Sequence, residues 1–446
     1  MLLAREVSVP PDPPLLARRL LGVGGRAVAL LHTAAQAGCE PPGLGRWSFV
    51  AADPDRRSSH LDPIGDDPLS LASGGLAFVP RWIGVVPYEH RRAALERPAW
   101  VGRDTRPAPM PVDPIWLRYP AVAAIDHHTG RVLAVGVDRA AVSRLAAALT
   151  TREPPPGPLV VEAGDAEPPA RHAERIAAAR ELIARGDLYQ VNLARRLWIR
   201  LREGDPLALY VSLTQRAPAA FGACLHLSPD LSVVSTSPEL LLRAEPRAQS
   251  RFVPGGFGAL FTAPIKGTRP RGEDAIADRS LAHELDEDPK ERAELTMILD
   301  VERHDLGRVA EVGSVRVVDG PRVVTHRTVH HRLALLSARA RADVSRAEVL
   351  TSMLPSGSVT GAPKVRAMEV IARLEASRRG LYTGGLGFVA HDGGVTLAMA
   401  IRTAVLQGND GEYWAGGGIV ADSDPGREVE ETRWKAVQIL RAASRP

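Results

Sequence analysis

The fold class is indicated most clearly by residues 416–425, which read Gly416-Gly417-Gly418-Ile419-Val420-Ala421-Asp422-Ser423-Asp424-Pro425. This stretch ends a predicted strand, Tyr413–Ala421, and leads into a predicted helix that runs from near Pro425 to about Ala443. Upstream, Gly384–Ala390 and Thr396–Leu406 are further strand candidates, with no helix between them. Strands that follow one another in this way predict antiparallel pairing.

Runs of strands with inserted helices continue upstream to about residue 171. The predicted strands are Leu193–Leu201, Leu231–Ser235 and Arg322–Val329. The predicted helices are His172–Gly186, Asp288–Val301, Arg346–Leu354 and Ala362–Leu374. This order indicates the α+β class, with large and mainly antiparallel sheets, rather than regular β–α–β alternation.

The chain divides into three parts by composition. Residues 1–150 are irregular, but the short apolar stretches Ala27–Leu31 and Ala121–Ile125 predict strands there. Residues 151–170 are rich in proline and acidic residues, and they predict a linker or an exposed loop. We expect residues 171–446 to form the catalytic domain. Residues 1–150 would complete the same body and carry a possible regulatory or partner-binding role.

The composition excludes several classes of protein. The chain has 446 residues, a formal charge of +4 and 45% hydrophobic residues, which rules out wholesale disorder. Forty glycines and 37 prolines are too many for a helical bundle. The basic residues are spread out, so no nucleic-acid partner is expected. Without a long apolar run or a signal peptide, we expect a cytoplasmic protein with no membrane partner.

Lysine is rare in this chain. Of 56 basic residues only four are lysines, namely Lys266, Lys290, Lys364 and Lys435. Where arginine serves as the general positive charge, a retained lysine suggests a site that a guanidinium cannot fill, because only lysine can lose its proton and act as a nucleophile. The alternative is chance survival on the surface. Lys266 and Lys364 lie in segments rich in glycine and proline.

Two pairs of glutamates have the same spacing. Glu291 and Glu294 lie on one predicted helix, and Glu428 and Glu431 lie on the last one. Residues three apart share a helix face, so four carboxylates from two helices could hold a hard divalent cation, most simply Mg²⁺. For either pair alone, a solvated helix face is the commoner explanation. Both pairs, however, adjoin apolar segments that are expected to be buried.

Several glycine-rich turns lie beside hydroxyl groups and basic side chains. They are Pro264–Thr268, Ser356–Lys364, Gly384–Gly387 and Gly416–Gly418. Backbone amides in such turns bind anions, although each turn alone could be an ordinary tight turn. None of them has the spacing of a phosphate-binding loop or of a dinucleotide fingerprint.

Taken together, the motifs resemble those of a known family. In chain order they are Gly186–Leu193, Ser237–Glu239, Pro264–Gly272, Ala293–Asp300, Gly361–Glu369, Ala400–Thr403 and Gly416–Pro425. This series resembles the chorismate-utilising enzymes, which include anthranilate, aminodeoxychorismate, isochorismate and salicylate synthases. The resemblance covers about residues 171–440. It implies a chorismate-binding fold of two antiparallel sheets packed face to face with helices outside.

The resemblance also implies roles for individual residues. Glu294 and Glu431 would be the main Mg²⁺ ligands, and Glu291 and Glu428 would act directly or through water. Glu239 corresponds to the general acid that protonates the departing 4-hydroxyl of chorismate. His331 corresponds to a histidine near the reacting ring, where a structural role is about equally expected. The implied substrate-binding residues are Gln190, Thr268, Thr360, Tyr382, Arg402, Gly416, Gly417, Gly418 and Lys435.

Two positions select a branch of the family. Gln190 stands where isochorismate and salicylate synthases carry a lysine that activates water, so ammonia is the expected nucleophile. Lys266 stands where anthranilate synthases carry alanine and aminodeoxychorismate synthases carry lysine. A lysine amine can attack C2 of chorismate, after which ammonia attacks C4. The sequence therefore resembles aminodeoxychorismate synthase component I most closely, with 4-amino-4-deoxychorismate as the expected product.

Ammonia would come from a separate glutamine amidotransferase subunit, or be used free. Neither Cys39 nor Cys224 lies between two glycines as the nucleophile of such a glutaminase does, and both are interpreted as ordinary buried residues. The alternatives are an anthranilate synthase large subunit, another amino-transferring relative, or a non-catalytic homologue that binds a partner. The retained glutamates and Lys266 speak against the last of these.

Two departures from the family pattern stand out. His304 replaces the asparagine of a conserved family motif, and Leu30-Leu31-His32-Thr33 replaces a Leu-Leu-Glu-Ser element. In many relatives that element lines a tryptophan pocket. Because the acid is lost, tryptophan binding is not expected here.

Overall fold

The computed structural model describes residues 2–35, 44–66, 75–93, 106–107, 109–247 and 256–443. Eight strands come from the N-terminal region of these residues. They are β1 Leu3–Glu6, β2 Ala29–His32, β3 Trp47–Ala51, β4 Arg56–Ser58, β5 Pro80–Val86, β6 Ile115–Arg118, β7 Ala121–Asp126 and β8 Arg131–Gly136.

The remaining strands follow residue 159. They are β9 Val160–Asp165, β10 Gln190–Glu203, β11 Phe221–Ser228, β12 Leu231–Ser237, β13 Leu240–Pro246, β14 Phe257–Ala263, β15 Ile265–Pro270, β16 Arg316–Thr325, β17 Val329–Arg339, β18 Gly361–Ala362, β19 Gly385–Ala390, β20 Val395–Met399, β21 Thr403–Gln407 and β22 Asp410–Ile419.

The α-helices lie between and after the strands. They are α1 Pro13–Gly22, α2 Arg139–Leu149, α3 Pro169–Ala184, α4 Pro206–Arg216, α5 Ala275–Glu287, α6 Pro289–Gly307, α7 Arg346–Met353, α8 Lys364–Leu374 and α9 Pro425–Ala443. A capping box begins α7: Ser345 accepts from the Glu348 amide, and the Glu348 carboxylate accepts from the Ser345 amide. No helix in the described ranges is long and apolar enough to cross a membrane.

The strands form two antiparallel sheets. Within the described residues, the first sheet has 12 strands in the order β1-β8-β7-β3-β2-β11-β12-β21-β22-β10-β18, with β9 also paired to β10. The second has 10 strands in the order β15-β17-β14-β13-β20-β19-β5-β6-β4, with β16 also paired to β17. Each sheet contains strands from both the N-terminal and the C-terminal parts of the chain.

The core shows how the sheets are stacked. One apolar cluster lies between them, with Val233 and Leu225 from the first sheet and Ile83 and Leu386 from the second. Separate clusters cover the outer faces: α1, α2, α4 and α9 pack on the first sheet, and α6 and α7 pack on the second. Helices therefore lie outside two sheets that pack face to face, as the resemblance implied.

The structure corrects three local predictions. Residues 151–170 are not only a linker, because Val160–Asp165 forms β9 and pairs with β10. The single predicted strand Arg322–Val329 spans the end of β16 and the start of β17. The predicted strand Thr396–Leu406 is two strands in different sheets, because the backbone turns between Met399 and Thr403 and Arg402 adopts a φ of 50°.

Candidate active site

A cavity of about 1470 Å³ lies where β15 and β22 approach helices α6 and α9. Most of the predicted site residues line it. These are Glu239, Lys266, Thr268, Glu291, Glu294, His331, Tyr382, Arg402, Gly416, Gly418, Glu431 and Lys435. The other four predicted residues, Gln190, Thr360, Gly417 and Glu428, lie just behind this lining. The fold thus brings together motifs that are up to 245 positions apart, from residue 190 to residue 435.

Glu239 lies in the short connection between β12 and β13, and only 4% of it is exposed. Its carboxylate Oε1 accepts a hydrogen bond of 2.7 Å from the Ser358 hydroxyl. Burial raises the pKa of Glu239 to about 7, although the Ser358 bond and the Lys266 charge oppose the rise. A carboxylic acid with such a pKa can hold and release a proton near neutral pH.

Lys266 lies on β15, directly before a bulge at Gly267. Gly267 has a φ of +81°, which favours glycine, and a Cβ there would lie 3.0 Å from Glu291 Oε2. The Lys266 charge acts on the Glu239, Glu294 and Glu431 carboxylates. In the part of the chain that the structure describes, Lys266 makes no ion pair. The folded protein therefore leaves its amino group available to a ligand.

His331, on β17, is paired across the strands with Thr268. The Thr268 hydroxyl lies 2.9 Å from His331 Nδ1, and only 3% of the histidine is exposed. Burial holds the pKa of His331 well below its usual value, and the nearby Arg402 charge adds to this effect. The imidazole is therefore neutral at physiological pH, and its ring orientation is fixed by Thr268.

Arg402 and Tyr382 lie near each other in the cavity wall. Across the described ranges Arg402 has no ion-pair partner, so its guanidinium is available to an anion. The Tyr382 ring stacks on the Trp414 indole with a centroid distance of 5.6 Å and an interplanar angle of 12°. Burial raises the pKa of Tyr382, so its hydroxyl stays protonated and can donate a hydrogen bond.

The three glycines of β22 form a backbone surface beside these side chains. β22 pairs with β10 up to Ile419 but pairs with β21 only as far as Tyr413. In the described structure, the backbone groups of Gly416–Gly418 that point away from β10 therefore lack a strand partner. A Cβ on Gly418 would collide with the Gln190 amide and lie 3.6 Å from Lys266 Nζ. Only glycine leaves this surface open to a ligand.

The two glutamate pairs lie on facing helices. Asp288 caps α6 by accepting from the Lys290 and Glu291 amides, which fixes the first turn. Lys290 connects the helices, because its Nζ lies 3.7 Å from Glu294 Oε1 and 3.9 Å from Glu428 Oε1. Lys435 Nζ lies 2.6 Å from Glu431 Oε1 and donates to the Gly416 carbonyl at 2.8 Å. The predicted substrate contact Lys435 thus already pairs with a predicted metal ligand.

The chemistry of these carboxylates fits a hard divalent cation. Glu428 Oε2 is buried without a hydrogen-bond partner among the described residues, and a Cβ on Gly417 would lie 3.0 Å from it. Burial raises the pKa of Glu291, Glu294 and Glu428, and neighbouring glutamates add to the rise. In the described ranges no three acidic, histidine or cysteine side chains converge as a finished metal centre. The four carboxylates therefore lie near one another without forming a finished metal centre, and Lys290 and Lys435 balance their charge.

Two further side-chain environments affect the chemistry of the cavity. Arg269 and Arg271 are close enough to Lys266 in the sequence to act on it by like-charge repulsion, but both pair with carboxylates. Arg269 pairs with Glu284 and Asp288 at 2.8 Å each, and Arg271 pairs with Asp278 at 2.6 Å. Thr360 donates its hydroxyl to the Ser356 carbonyl at 2.8 Å, so it supports the turn behind the cavity.

The cysteines were interpreted as ordinary buried residues. Cys224 lies on β11, is 2% exposed, and has a pKa that burial raises well above its usual value. Its thiol is therefore protonated and inaccessible, which confirms the interpretation for this residue. Cys39 lies outside the described residues.

Sequence reasoning missed the polar network that supports the cavity from behind. The buried pair Arg379–Glu375, with an N–O distance of 2.7 Å, bonds the Asn192 carbonyl and the Ala194 amide of β10. Ser356, Ser358 and Glu302 form a second buried group around Glu239. Ser356 and Ser358 lie in the glycine-rich turn Ser356–Lys364, where the backbone amides, not the hydroxyls, suggested a binding role. Glu302 lay one residue beyond the predicted helix Asp288–Val301, with nothing in the sequence to distinguish it from an exposed acid.

The comparisons with known proteins agree with this site. The model of a family described as chorismate binding enzyme matches residues 43–441. The chain belongs to this family, and so to the chorismate-utilising enzymes.

Individual relatives and a solved structure come from different branches. The chain is 36% identical over 438 residues to anthranilate synthase component 1 of Streptomyces coelicolor, covering 90% of this chain and 82% of the relative. It is 36% identical over 385 residues to an aminodeoxychorismate synthase of Streptomyces griseus, covering 82% of this chain and 50% of the relative. The crystal structure of anthranilate synthase component I from Streptococcus pneumoniae matches with a TM-score of 0.74 and 26% identity, over 90% of this chain and 93% of that one. The chain therefore has the chorismate-binding fold.

Proposed function

We propose that this protein is an aminodeoxychorismate synthase component I, which converts chorismate and ammonia to 4-amino-4-deoxychorismate and water. The observation that carries the proposal is the position of Lys266. It lines the cavity close to the buried acid Glu239, and among the described residues it has no ion-pair partner. A nucleophile and a proton donor on one side of the cavity suit the replacement of a ring hydroxyl.

The cavity suits a substrate with two carboxylates. Arg402 and the glycine amides of β22 offer one anion site beside Tyr382. Glu294 and Glu431, helped by Glu291 and Glu428, would hold Mg²⁺ for the second carboxylate. When bound, the ion supplies positive charge that offsets the crowding of carboxylates. The protein's own residues carry the remaining steps.

In the first step the Lys266 amine attacks C2 of chorismate. Both ring double bonds shift by one position, and the C4–oxygen bond breaks. The departing oxygen takes the proton of Glu239 and leaves as water, so Glu239 becomes a carboxylate. His331, neutral and oriented by Thr268, packs beside the reacting ring. The product of this step is a substrate joined to Lys266 through nitrogen.

In the second step ammonia attacks C4 of the joined intermediate. Both ring double bonds return to their original positions, and the C2–nitrogen bond to Lys266 breaks. The ammonium group formed at C4 gives one proton to the Glu239 carboxylate, and the lysine nitrogen leaves as the neutral amine with the two hydrogens that it brought. The enzyme is restored, and the enolpyruvyl group remains attached. Gln190 lacks a basic nitrogen, which disfavours attack by water in place of ammonia.

The second candidate is an anthranilate synthase component I. The match to the Streptomyces coelicolor relative, over 90% of this chain, favours it. Both activities would use the same acid Glu239 and the same metal ligands. They differ at Lys266, since an anthranilate synthase has no need of a covalent lysine at that position.

The ammonia source is the remaining part of the proposal. Component 1 relatives carry a name that denotes one part of a two-part enzyme. Since Cys224 is buried and protonated, we propose that a separate glutamine amidotransferase subunit supplies ammonia. We further propose that the protein acts in the cytoplasm and that its product is used to make 4-aminobenzoate for folate.

One assay tests the proposed function. The purified chain is incubated with chorismate, Mg²⁺ and an ammonium salt, and the products are identified by mass and retention time. We expect 4-amino-4-deoxychorismate. Anthranilate as the main product would contradict the proposal and support the second candidate. Lys266→Ala provides a matched comparison, because it recreates the Pro-Ile-Ala-Gly-Thr motif of anthranilate synthases and should shift residual product toward anthranilate.

A further inference from the structure

A chain of hydrogen-bonded oxygen atoms leads from the cavity into the interior. Glu239 Oε1 lies 2.7 Å from Ser358 Oγ, and Ser358 Oγ lies 2.9 Å from Ser356 Oγ. Ser356 Oγ in turn hydrogen-bonds Glu302 Oε1. Glu302 lies on α6 and is fully buried, and both serines are at most 4% exposed. The four side chains therefore connect the cavity acid to a second carboxyl group.

The number of hydrogens in this chain is restricted. Three oxygen–oxygen contacts need three hydrogens, and the two serine hydroxyls supply only two. If both carboxyls were ionised, each serine would donate outward, and no hydrogen would lie between Ser356 and Ser358. The contact of 2.9 Å between them is a hydrogen bond only when Glu239 or Glu302 holds a proton. The geometry thus suits one proton shared by two carboxyls.

Glu302 has an environment that suits either state. When ionised, its Oε1 accepts from Ser356 and from the Gly357 amide at 3.1 Å. Its Oε2 is buried and lacks a partner among the described residues, which limits the stability of the anion. Burial raises the pKa of Glu302 to about 7, close to that of Glu239. Similar proton affinities allow the proton to move in either direction.

We propose that Glu302 is the inner member of a proton relay for Glu239, which exchanges one proton with it through Ser358 and Ser356. The proposal rests on the general-acid role of Glu239 in the proposed function. Glu302 touches no substrate, so it is a positioning residue. Glu302 keeps the Glu239 proton in place until the 4-hydroxyl departs. The Ser356–Gly357–Ser358 turn supplies the two hydroxyls that connect the carboxyls.

The exchange balances without any outside reactant. The proton of Glu239 passes to Ser358 Oγ, the Ser358 hydrogen passes to Ser356 Oγ, and the Ser356 hydrogen passes to Glu302 Oε1. Three O–H bonds break and three form, and one negative charge moves from Glu302 to Glu239. Transfer of the Glu239 proton to substrate leaves both carboxyls ionised. This state lacks one hydrogen bond, which favours recovery of a proton from the ammonia adduct.

Charged groups on several elements face this relay. Lys266 on β15 and Arg402, between β20 and β21, act on Glu239 and favour its ionised form, as does the Ile265 amide. Asp305 on α6 and Lys364 on α8 act on Glu302 in opposite senses, and Asp305 pairs with Lys364. Because Asp305 and Lys364 carry opposite charges, their effects on the Glu302 pKa largely cancel. Mutual repulsion between the two carboxyls therefore remains as a cause of the shared proton.

The test follows the rate of chorismate consumption against pH, with free ammonia held constant by adjusting the ammonium salt at each pH. Glu302→Gln removes the second carboxyl but keeps its size and its hydrogen-bonding capacity. Ser356→Ala interrupts the relay and lets Ser358 donate permanently to ionised Glu239. Both changes lower the pKa of Glu239, so the alkaline fall of kcat/KM should begin about one pH unit lower than in the wild type. The rate at acidic pH should stay within about threefold of the wild type.

Ser352→Ala is the matched control, since Ser352 is also a buried serine near α6, where it donates to the Asp305 carbonyl. It should leave the alkaline limb in place. If Glu302 were only structural, its substitution would lower the rate at every pH without moving the limb. An unmoved limb in folded Ser356→Ala and Glu302→Gln would overturn the relay. Because the assay follows chorismate, it is independent of product: anthranilate formation would refute the proposed function and leave the relay intact.

Discussion

Two cavities of the described structure differ in character. The cavity at the β15 and β22 end, about 1470 Å³ in volume, is lined by glutamates, lysines and arginines. The lining of the other, about 340 Å³, includes five phenylalanine and tryptophan residues. These aromatic residues are Trp47, Phe49, Phe78, Phe221 and Phe388.

The charged groups of the two cavities differ, and the difference distinguishes a ligand site from ordinary packing. In the smaller cavity, burial lowers the pKa of His32 to about 4, which keeps the imidazole neutral, and Arg243 pairs with Glu245 at 3.3 Å. In the larger cavity Lys266 and Arg402 have no such partner in the described structure. Both side chains are partly buried, and a partly desolvated charge without a partner favours a ligand of opposite charge. The difference therefore indicates that an anionic substrate belongs in the larger cavity.

The largest effect is expected at the glutamates of the larger cavity. Glu294→Gln and Glu431→Gln each remove one anionic oxygen with little change in shape, so each should lower turnover by at least about 100-fold while the fold survives. Steady-state rates with Mg²⁺, together with circular dichroism, measure both quantities. Glu174→Gln, an exposed glutamate on α3, is the matched control. Full activity in EDTA, or normal rates in both variants, would remove the metal site from the account.

The next prediction concerns the ammonia source. The chain alone should use ammonium salts but not glutamine, because Cys224 is buried between strands and its pKa is raised by burial. Addition of the cognate small amidotransferase should make glutamine a substrate. Ammonia-dependent and glutamine-dependent rates are compared with and without that subunit. Turnover of glutamine by the pure chain would mean that a nucleophile has been overlooked.

A smaller, energetic effect is expected from Glu239. Its pKa is about 7 in the folded protein and 4.5 when unperturbed, so the folded state binds more protons between these values. The contribution of Glu239 to stability therefore falls as pH rises from 4.5 to 7, and it then levels off. Glu239→Gln does not titrate, so its stability relative to wild type should rise by about 3 kcal/mol over this window.

Denaturant unfolding at pH 5 and pH 8 measures this difference. The variant should gain most at pH 8 and lose its activity at both. Glu430→Gln, an exposed glutamate on α9, should show no such dependence on pH. A Glu239→Gln variant whose relative stability is the same at both pH values would show that the Glu239 carboxyl is not held protonated.

The smallest effect is expected in the aromatic cavity. Neutral His32 stands where the sequence loses an acid, and its Nδ1 hydrogen-bonds the Tyr210 hydroxyl at 2.9 Å. The Leu30–Thr33 element offers no carboxylate to an amino group, and the cavity acids Glu245 and Asp392 are engaged by Arg243 and by the Gly394 amide. Tryptophan should therefore change the rate by less than about twofold. Rate measurements and thermal shifts with added tryptophan test this expectation. Strong inhibition would show that another group in the cavity binds the amino group and that the two cavities communicate.

Much of this architecture could be predicted from local patterns. The last helix follows Pro425, the strand before it contains three glycines, and the glutamates recur at a helical spacing. Ordered motifs then predicted which residues would meet, and most of them line one cavity. Such predictions succeed where a residue type has few physical explanations, as with a glycine run beside a buried strand.

The features that the sequence did not predict depend on packing between residues far apart in the chain. The turn at Arg402 looked like the middle of one strand, since the apolar pattern continues through it, and only the pairing of β20 and β21 with different sheets reveals the break. Glu302 lay just past the predicted helix and resembled an exposed acid, and only the packing of the longer α6 against the Ser356 turn buries it. The aromatic cavity combines residues from strands far apart in sequence, so no local motif could indicate it.

The central claim is that Lys266 forms a bond to the substrate, and peptide mass spectrometry tests it most directly. The protein is incubated with chorismate and Mg²⁺ without ammonia, then quenched and digested, with Lys266→Arg as the matched control because it keeps charge and length but cannot attack C2. The account predicts a mass increase on the Lys266 peptide equal to chorismate minus water, loss of this adduct when ammonia is added, and almost no synthesis by Lys266→Arg. An unmodified Lys266 peptide together with near-normal activity of Lys266→Arg would contradict it.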